Sequence, residues 1–474
     1  MTTPIKADLC VIGAGPGGLS VAAGAVQMGA SVVLIEEGKM GGDCLNYGCV
    51  PSKALIAAGK AAHAHRSSGP LGVAGHEPEI DYAAAMAHVE ATIAKIAPHD
   101  SVERFEGLGV RVIKARARFT GPAEVTAGDQ VIKARRFVVA TGSAPVVLPV
   151  PGLDQVPYMT NETLWENRTR PDHLIVIGGG PIGIELAQAH RRLGSKVTVL
   201  EAFTALGKDD PELTAIALDQ LRSEGVDIRE GAKVTQFSGQ TGAITATLED
   251  AGTIEGSHLL MAVGRKPNVN GMGLDEAGIE HDRKGVVVDK GLRSVSNRRV
   301  YAIGDVAGGL QFTHVANYHA GLVIRNALFR LPVRNQTRHI PWVTYTDPEL
   351  ANVGLTEDQA REAYGGRIEV HKFTFDGSDR ALAEGKPTGL VKAVFSKRGK
   401  ILGCGIVGAQ AGELIHPWAL AISAGLKAKH MAGFVAPYPT LGEANKRAAG
   451  AYFAPRLFDS ALVKWAVRNL ARLG

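Results

Sequence analysis

The sequence predicts an α/β fold with two doubly wound units and a further mixed domain at the C-terminal end. Its 474 residues are too many for one hydrophobic core and indicate two to four domains. Glycine is abundant, with 58 residues, whereas aromatic residues make up only 5% of the chain. This composition is typical of α/β folds with many tight strand-to-helix turns, and an internal repeat strengthens the prediction.

Two stretches of the chain repeat one pattern. The first begins at Asp8 and reads DLCVIGAGPGGLSVAAGAVQMGASVVLIEEG, and the second begins at His173 and reads HLIVIGGGPIGIELAQAHRRLGSKVTVLEAF. Each has an apolar strand, a GxGxxG turn that opens a helix, and a second strand that ends in an acid. The matched residues are Gly13, Gly15, Gly18 and Glu36 in the first copy, and Gly178, Gly180, Gly183 and Glu201 in the second. Two copies with equal spacing predict two Rossmann-like, dinucleotide-binding units.

Each residue of this pattern has a physical role. The first glycine allows a tight turn, the second lets the backbone approach a pyrophosphate, and the third lets the helix pack on the strand. The N-terminal end of the helix attracts phosphates, and the acid can bind ribose hydroxyls. We therefore expect each copy to hold one dinucleotide, the alternative being a glycine-rich turn without a ligand.

The repeats divide the rest of the chain. Residues 57–107 are rich in alanine and are predicted to be mostly helical, and the alternation of apolar and polar residues over 110–138 predicts a small antiparallel sheet. The predicted order is a first nucleotide domain at 1–151, a second at 152–272, a return to the first at 273–339, and a mixed α/β domain at 340–474.

Two of the four cysteines lie five positions apart in GGDCLNYGCVPSKALI, residues 41–56. On a regular helix their Cα atoms would be ~8.6 Å apart, whereas a disulfide needs roughly 4.4–6.8 Å. A bridge between Cys44 and Cys49 therefore requires a distorted first turn. Gly48 permits unusual backbone angles, and Pro51 lacks the N–H that would bind the carbonyl of Tyr47. The sequence predicts a disulfide that opens and closes.

Charge and hydropathy exclude some classes of protein. The net charge is +5, but 52 basic and 47 acidic residues are intermixed, so nucleic acid binding is not indicated. No apolar stretch reaches the ~20 residues of a membrane span and the first residues lack a signal-peptide pattern, so we expect a cytoplasmic protein. In the reducing cytoplasm structural disulfides are rare, so a close cysteine pair is usually catalytic, redox-sensing or metal-binding. Cys10 and Cys404 are predicted core residues, and no further cysteine or histidine ligands stand near the pair to complete a zinc site.

Together these motifs resemble the class I pyridine nucleotide-disulfide oxidoreductases, flavoproteins that include dihydrolipoyl dehydrogenase, glutathione reductase and mercuric reductase. The chain also carries ATGS at 140–143, AIGDV at 302–306, YTDPELANVG at 345–354 and YPTLGEANKRAAG at 438–450. The resemblance implies a glutathione reductase-like fold, with FAD bound by the first domain and NAD(P)H by the second. It also implies a homodimer whose C-terminal α+β dimerisation domain completes the active site of the partner.

The resemblance implies a role for individual residues. Cys49 would lie against the isoalloxazine ring, Cys44 would attack the substrate, and Lys53 and Glu185 would form an ion pair beside the flavin. Glu36 would bind the adenosine ribose of FAD, and Asp305 its ribityl or phosphate region. The residues expected to bind cofactor are Gly13, Gly15, Gly18, Glu36, Gly42, Lys53, Thr141, Gly142, Gly178, Gly180, Gly183, Glu201, Gly264, Gly304 and Asp305.

NADH is the expected electron donor, in preference to NADPH. Glu201 can accept hydrogen bonds from ribose hydroxyls but would repel a 2′-phosphate. The first basic residue after it is Lys208, so little in the local sequence offsets this repulsion.

The chain departs from the family pattern near its C-terminal end. In dihydrolipoyl dehydrogenases and glutathione reductases the signature is His-Pro-Thr followed by a glutamate, whereas here it is Tyr438-Pro439-Thr440 with Glu443 in the place of the glutamate. A free tyrosine has a pKa near ~10, against ~6.5 for histidine, and is a poorer proton shuttle at neutral pH. Mercuric reductases resemble this chain in having tyrosine there, but they also have a C-terminal cysteine pair that this sequence lacks. Tyr438 as an interface packing residue is the alternative.

The expected activity is FAD-dependent reduction of a disulfide or of a thiol-bound metal ion. Dihydrolipoyl dehydrogenase, a mercuric reductase-like metal reductase and a non-catalytic redox-sensing flavoprotein are the alternatives.

From Phe458 to Leu473, apolar residues follow a helical period with Lys464, Arg468 and Arg472 beside them. We expect this segment to dock on the body of the protein or on the dimer partner, with contact to an anionic membrane surface as the alternative.

Overall fold

The computed structural model describes residues 3–472. Its helices are α1 (Pro16–Gln27), α2 (Gly42–Asn46), α3 (Cys49–Ser67), α4 (Tyr82–Ile96), α5 (Val102–Gly107), α6 (Pro181–Arg192), α7 (Pro211–Ser223), α8 (Thr313–Phe329), α9 (Glu357–Tyr364), α10 (Asp379–Ala383), α11 (Ala411–Leu414), α12 (His416–Ser423), α13 (Ala428–Gly433), α14 (Glu443–Gly450), α15 (Ala454–Phe458) and α16 (Ala461–Leu470). Its strands are β1 (Ile5–Ile12), β2 (Val32–Glu36), β3 (Arg111–Lys114), β4 (Ala117–Gly121), β5 (Glu124–Ala127), β6 (Gln130–Val139), β7 (Ser143–Pro145), β8 (His173–Ile177), β9 (Lys196–Leu200), β10 (Val226–Arg229), β11 (Val234–Gln240), β12 (Ala243–Leu248), β13 (Thr253–Gly256), β14 (His258–Met261), β15 (Arg265–Pro267), β16 (His281–Asp282), β17 (Gly285–Val286), β18 (Val300–Ala302), β19 (Pro341–Thr344), β20 (Glu349–Gly354), β21 (Ile368–Thr374), β22 (Leu390–Ser396) and β23 (Ile401–Gly408).

These elements form two compact units. The first runs from the N-terminal end to Gly59 and includes residues 79–202 and 232–335. The second contains residues 60–78, 203–231 and the chain from Gln336 onward. Apart from Phe203, the last residue of the second copy, both sequence repeats fall in the first unit. The division into four segments made from the sequence stays a prediction.

The first unit is built around a seven-stranded sheet. Its strands run in the order β3-β2-β1-β6-β5-β4, and β18 also pairs with β6. The pairs β1–β2, β1–β6, β2–β3 and β6–β18 are parallel. The C-terminal ends of β1 and β6 and most of β2 and β18 are buried, as parallel strands usually are. The predicted small antiparallel sheet over 110–138 is only partly right. β4, β5 and β6 are antiparallel, but β3 joins the parallel part of the sheet.

The second repeat builds a smaller parallel sheet in the same unit. β8 pairs with β9 on one side and with β14 on the other, and an antiparallel sheet of β11, β12 and β13 follows in the chain. The helices of the two repeats begin alike, with proline at their first position: Pro16 in α1 and Pro181 in α6. Proline suits this position because its ring presets the helical φ and the missing N–H would be unpaired anyway.

The second unit contains a five-stranded antiparallel sheet with the order β19-β20-β23-β22-β21. Its core includes the fully buried rings of Phe375, Phe395 and Trp418. Twisted antiparallel strands with helices against them are the α+β arrangement expected for the C-terminal domain.

The last helix, α16, is amphipathic and largely uncovered. Leu462, Trp465, Val467 and Leu470 are 61–73% exposed, so docking on the body of this chain does not bury them, and docking on the dimer partner stays a prediction. The last apolar position of the predicted period, Leu473, lies outside the described residues. Within residues 3–472, no helix has both the length and the apolar character that crossing a bilayer requires.

Candidate active site

The two close cysteines lie on different helices. Cys44 is in α2, which ends at Asn46, and Cys49 is the first residue of α3. Between them the chain turns, and the backbone N–H groups of Tyr47 and Gly48 both donate to the carbonyl of Asp43, at 2.8 and 2.7 Å. The predicted distorted first turn is therefore a complete break between two helices. It brings the Cys44 and Cys49 side chains within hydrogen-bonding distance of each other, as free thiols.

A hydrogen bond from Trp165 stabilises this break, and the absence of a side chain at Gly48 leaves room for it. The carbonyl of Tyr47, which has no donor at Pro51, accepts a hydrogen bond from the indole nitrogen of Trp165 at 2.9 Å. A Cβ on Gly48 would lie 2.7 Å from the Oδ2 atom of Asp43, closer than real Cβ atoms approach another heavy atom. Only glycine, which has no Cβ, therefore fits at position 48 beside this carboxylate.

The two thiols have opposite acid-base character. The hydrogen bond from the Cys44 thiol, helped by the Thr313 hydroxyl at 3.5 Å and by the Lys53 cation, lowers the pKa of Cys49 to about 6, although burial opposes this. The same hydrogen bond and burial raise the pKa of Cys44 well above the usual range. At neutral pH the reduced pair consists of a Cys49 thiolate and a protonated Cys44. Within residues 3–472, no three His, Cys, Asp or Glu side chains are grouped to hold a metal ion.

An ion pair lies one helical turn beyond Cys49. Lys53 Nζ is 2.8 Å from Glu185 Oε2, and the Glu185 side chain is only 7% exposed. Glu185 belongs to α6 of the second repeat, so the pair connects this helix to the helix that begins at Cys49. Because a buried carboxylate without a partner is costly, Glu185 fixes the position of the Lys53 cation.

The two glycine turns follow β1 and β8 and have the same geometry. The first glycine has a positive φ in both, +103° at Gly13 and +109° at Gly178. The third glycine, Gly18 or Gly183, packs so closely that a Cβ there would collide with the carbonyl oxygen of the first. The two turns therefore have the shape expected of dinucleotide-binding turns.

The second glycine of each turn is the N-cap of the following helix. Gly15 precedes α1 and Gly180 precedes α6. Gly42 lies next to Gly15, and a Cβ on Gly42 would be 2.6 Å from the Gly15 Cα atom. Bare backbone therefore surrounds the N-terminal end of α1, where N–H groups attract phosphate oxygens.

The acids of the two repeats fold back onto these turns. Glu36 Oε2 accepts a hydrogen bond from the backbone N–H of Ala14, and Glu201 Oε2 accepts one from Gly179, both at 2.6 Å. The second oxygen of Glu36 accepts from the N–H of Gly38 at 2.6 Å. Each carboxylate is thus held at the end of the second strand of its repeat.

The remaining residues predicted to bind cofactor lie in nearby loops of the first unit. Thr141 Oγ1 donates to the carbonyl of Asn268 at 2.8 Å, and the Asn268 N–H donates to the carbonyl of Gly142 at 3.0 Å. Gly264, just before β15, and Gly304 both have positive φ, at +123° and +65°. These loops follow β6, β14 and β18, at the carboxyl ends where ligands bind in such sheets.

A polar chain, which sequence reasoning missed, connects Asp305 to the cysteine loop. Ser143 Oγ donates to Asp305 Oδ2 at 2.5 Å and accepts from Arg265 Nε at 2.8 Å. Arg265 Nη2 lies 2.9 Å from Asp43 Oδ1, next to Cys44 in sequence. Burial raises the pKa of Asp305. Arg265 lies in the stretch AVGRKPN, residues 262–268, but this stretch alone does not indicate an acid more than two hundred positions earlier.

Tyr438 and Glu443 lie in the second unit. Tyr438 is 70% exposed, and its hydroxyl donates to Asp379 Oδ2 at 3.0 Å. This hydrogen bond, and the nearby charge of Glu443 at the start of α14, raise the pKa of Tyr438. Asp379, which begins α10, was not singled out from the sequence.

Comparison with known proteins agrees with this arrangement. Residues 7–320 match the family model described as pyridine nucleotide-disulphide oxidoreductase, and residues 340–449 match its dimerisation domain. A mercuric reductase of Streptomyces lividans is 35% identical over 453 residues, which cover 93% of this chain and 95% of that protein. A dihydrolipoyl dehydrogenase of Thermus scotoductus is 36% identical over 464 residues, covering 94% and 97%.

A solved structure is also similar. The copper(II) complex of the HOCl-induced flavoprotein disulfide reductase RclA from Escherichia coli is 28% identical, with a TM-score of 0.83, and the match covers 93% of this chain and 98% of that one. The chain therefore belongs to the pyridine nucleotide-disulphide oxidoreductases. The predicted fold class is confirmed, and the family implies an enzyme with FAD and a pyridine nucleotide as cofactors. The dimerisation domain supports a homodimer.

The acidity of Cys49 yields a prediction. In the reduced protein, the thiolate absorbance in the ultraviolet should appear with a midpoint near pH 6, because the pKa of Cys49 is lowered to about 6. Cys49→Ser should remove this titration. Cys44→Ala should move the midpoint upward, toward the ~8.5 of an ordinary thiol, because it removes the hydrogen-bond donor. Cys44→Ser retains a hydroxyl donor and is the control, with a midpoint close to that of the wild type. A Cys49 midpoint that is the same with alanine and with serine at position 44 would contradict the role of this hydrogen bond.

Proposed function

We propose that this enzyme passes electrons from NADH through FAD and the Cys44–Cys49 pair to a small disulfide or a thiol-bound metal ion. One observation carries the proposal. An acidic thiol and a protonated one lie together beside the Lys53–Glu185 ion pair, in the same unit as both dinucleotide turns. We further propose that 1–151 and 273–339 bind FAD, 152–272 binds NADH, and 340–474 forms the dimer.

The residues of the first turn fit FAD. The bare backbone at Gly15 and Gly42 leaves room for a pyrophosphate at the start of α1. Glu36, held beside this turn by the N–H of Ala14, would accept hydrogen bonds from the adenosine ribose. The carboxyl of Asp305, whose pKa is raised by burial, suits a contact with the ribityl or phosphate region. When bound, FAD supplies the two-electron transfer between nicotinamide and a disulfide.

The cysteines then perform balanced thiol-disulfide exchange. Two electrons and one proton open the Cys44–Cys49 bond to a Cys44 thiol and a Cys49 thiolate, which the Lys53 cation and the Thr313 hydroxyl stabilise. Cys44, after losing its proton, attacks one sulfur of an acceptor disulfide and releases the first thiol. The Cys49 thiolate then attacks Cys44 in the mixed disulfide, re-forms the bridge and releases the second thiol.

The net reaction with a disulfide acceptor defines how many protons the active site has to supply. NADH, one proton and a disulfide give NAD⁺ and two thiols, so protons have to reach the departing sulfur atoms. We propose that Tyr438 of one subunit completes the site of its partner, with Glu443 beside it. Its raised pKa makes it a weak acid for this task at neutral pH, which favours an acceptor such as a thiol-bound metal ion, whose release from the cysteines requires no protonated thiol. Relatives named mercuric reductase and the copper(II) complex of RclA support this second class of acceptor.

An acceptor screen tests the proposal. NADH oxidation should be measured with lipoamide, glutathione disulfide, other low-molecular-weight disulfides and thiol-bound Hg²⁺, for the wild type, Cys44→Ser and Cys49→Ser. We expect at least one acceptor to turn over steadily and both variants to lose that turnover. Reduction of ferricyanide, which needs only a reduced flavin, should remain in both variants and is the control. Equal turnover in wild type and variants would exclude the cysteine pair, and no turnover of any acceptor would favour a redox-sensing flavoprotein.

The proposed NADH preference depends on Glu201. A 2′-phosphate about 4 Å from this carboxylate would be repelled by up to ~4 kcal/mol at an effective dielectric constant of ~20. We expect kcat/KM, measured with ferricyanide, to be higher for NADH than for NADPH. Glu201→Gln keeps an oxygen that can accept from the Gly179 N–H but removes the charge, and should shift the ratio toward NADPH by roughly tenfold or more. A wild-type preference for NADPH would overturn the assignment.

The role of Tyr438 yields a further prediction. If tyrosine limits proton transfer, flavin reduction by NADH in a stopped-flow experiment should be much faster than steady lipoamide turnover. Tyr438→His, with Glu443 available to orient the imidazole, should raise lipoamide turnover by at least roughly tenfold. Tyr438→Phe is the control, because it removes the hydroxyl without providing a group that titrates near pH 7. Lipoamide turnover in the wild type as fast as flavin reduction would instead support dihydrolipoyl dehydrogenase activity.

A further inference from the structure

The carboxylate of Asp43 lies inside the loop that carries the redox-active cysteines. The backbone carbonyl of Asp43 accepts hydrogen bonds from the N–H groups of Tyr47 and Gly48. The Oδ2 atom of Asp43 lies against Gly48, where a Cβ would be 2.7 Å away. Cys44 follows it directly in the chain. A negative charge is therefore built into the break between α2 and α3.

The opposite side of this carboxylate is fixed by Arg265. Arg265 Nη2 is 2.9 Å from Asp43 Oδ1, and its side chain is only 11% exposed. The guanidinium is itself held by Ser143, through Nε to the hydroxyl at 2.8 Å and through Nη2 to the carbonyl at 2.7 Å. Asn161 adds a hydrogen bond to Asp43 Oδ1 at 3.3 Å. Such a pair, held by hydrogen bonds on several sides, keeps its geometry better than an exposed ion pair does.

We propose that Asp43, positioned by Arg265, sets the reduction potential of the Cys44–Cys49 couple and makes its dithiol form a stronger reductant. This inference rests on the proposed role of the pair as the redox centre. Opening the disulfide creates a thiolate at Cys49, and a neighbouring carboxylate raises the free energy of that thiolate. The disulfide, which carries no charge, is not affected in the same way, so the equilibrium shifts toward the oxidised form.

The charges around the thiols agree with this direction. Asp43 raises the pKa of both Cys44 and Cys49, whereas Lys53 and the hydroxyl of Thr313 act on Cys49 in the opposite sense. Lys53 is itself paired with Glu185, as described above. A cation on α3 and a carboxylate at the start of α2 thus act on the Cys49 thiolate in opposite senses.

Glu162 provides a matched comparison for Asp43. Burial and the charge of Asp43 raise the pKa of Glu162, and Arg265 lowers it, so this second carboxyl group lies in the same polar neighbourhood. Unlike Asp43, it is not among the leading influences on the pKa of either thiol. Removing its charge alters the surroundings of Arg265, and we expect little effect of that change on the cysteines.

The test compares charge-neutralising variants of the whole enzyme. The potential of the couple should be measured by anaerobic equilibration with mixtures of NADH and NAD⁺, and the Cys49 thiolate by its ultraviolet titration. Asp43→Asn should favour the reduced couple about tenfold, which corresponds to ~30 mV for two electrons, and should lower the Cys49 midpoint. Arg265→Gln should change both in the opposite direction. The double variant should return close to the wild type, and Glu162→Gln should leave both unchanged.

The outcomes separate this inference from the proposed function. If the wild-type cysteines accept no electrons from NADH beyond those held by the flavin, the proposed function fails. If they do, and Asp43→Asn shifts neither the equilibrium nor the thiolate titration, the role of Asp43 is excluded. Shifts in the same direction for Asp43→Asn and Arg265→Gln would also exclude the role of Asp43. An electrostatic effect must change sign with the charge that is removed, whereas a general loosening of the loop need not. Should Arg265→Gln lose FAD, the comparison of Asp43→Asn with Glu162→Gln decides the question.

Discussion

The break between α2 and α3 is the constraint on which the rest of the site depends. A continuous helix would hold the Cα atoms of Cys44 and Cys49 too far apart for a disulfide. The turn at Tyr47 and Gly48 removes that obstacle, and Pro51 prevents the helix from closing across it. The break leaves the backbone carbonyl of Tyr47 without a donor from the helix. The indole N–H of Trp165, more than a hundred positions later in the chain, donates to it. Local sequence thus opens the turn, and a distant side chain stabilises it.

The thiols that meet at this turn are made unequal by charges on several elements. One thiol donates to the other, so a single hydrogen bond makes Cys49 acidic and keeps Cys44 protonated. Lys53 favours the thiolate and Asp43 opposes it, and each is held by an oppositely charged partner. The acidity of Cys49 thus depends on two neighbours of opposite charge that lie on different helices.

Sequence reasoning found what is local and missed what is distant. The glycine turns, the acids after them and the cysteine loop depend on residues close together in the chain, so their spacing alone predicts their geometry. The roles of Trp165, Arg265 and Asp379 follow from contacts between segments more than fifty positions apart, which no local pattern reveals. The same limit explains the partial error over 110–138. Alternation identifies a strand, but the partner of β3 is chosen by the fold of the whole unit.

The two halves of the proposed reaction draw on different parts of the chain. The cysteines, the ion pair beside them and both nucleotide turns belong to the first unit. Tyr438 and Asp379 belong to the second unit, and their hydrogen bond favours a protonated phenol. In the proposed reaction, the group that would handle protons thus lies in a different unit from the cysteines that would carry the electrons. Relatives named for a metal ion and for dihydrolipoamide, which match this chain at 35% and 36% identity, are consistent with such a division.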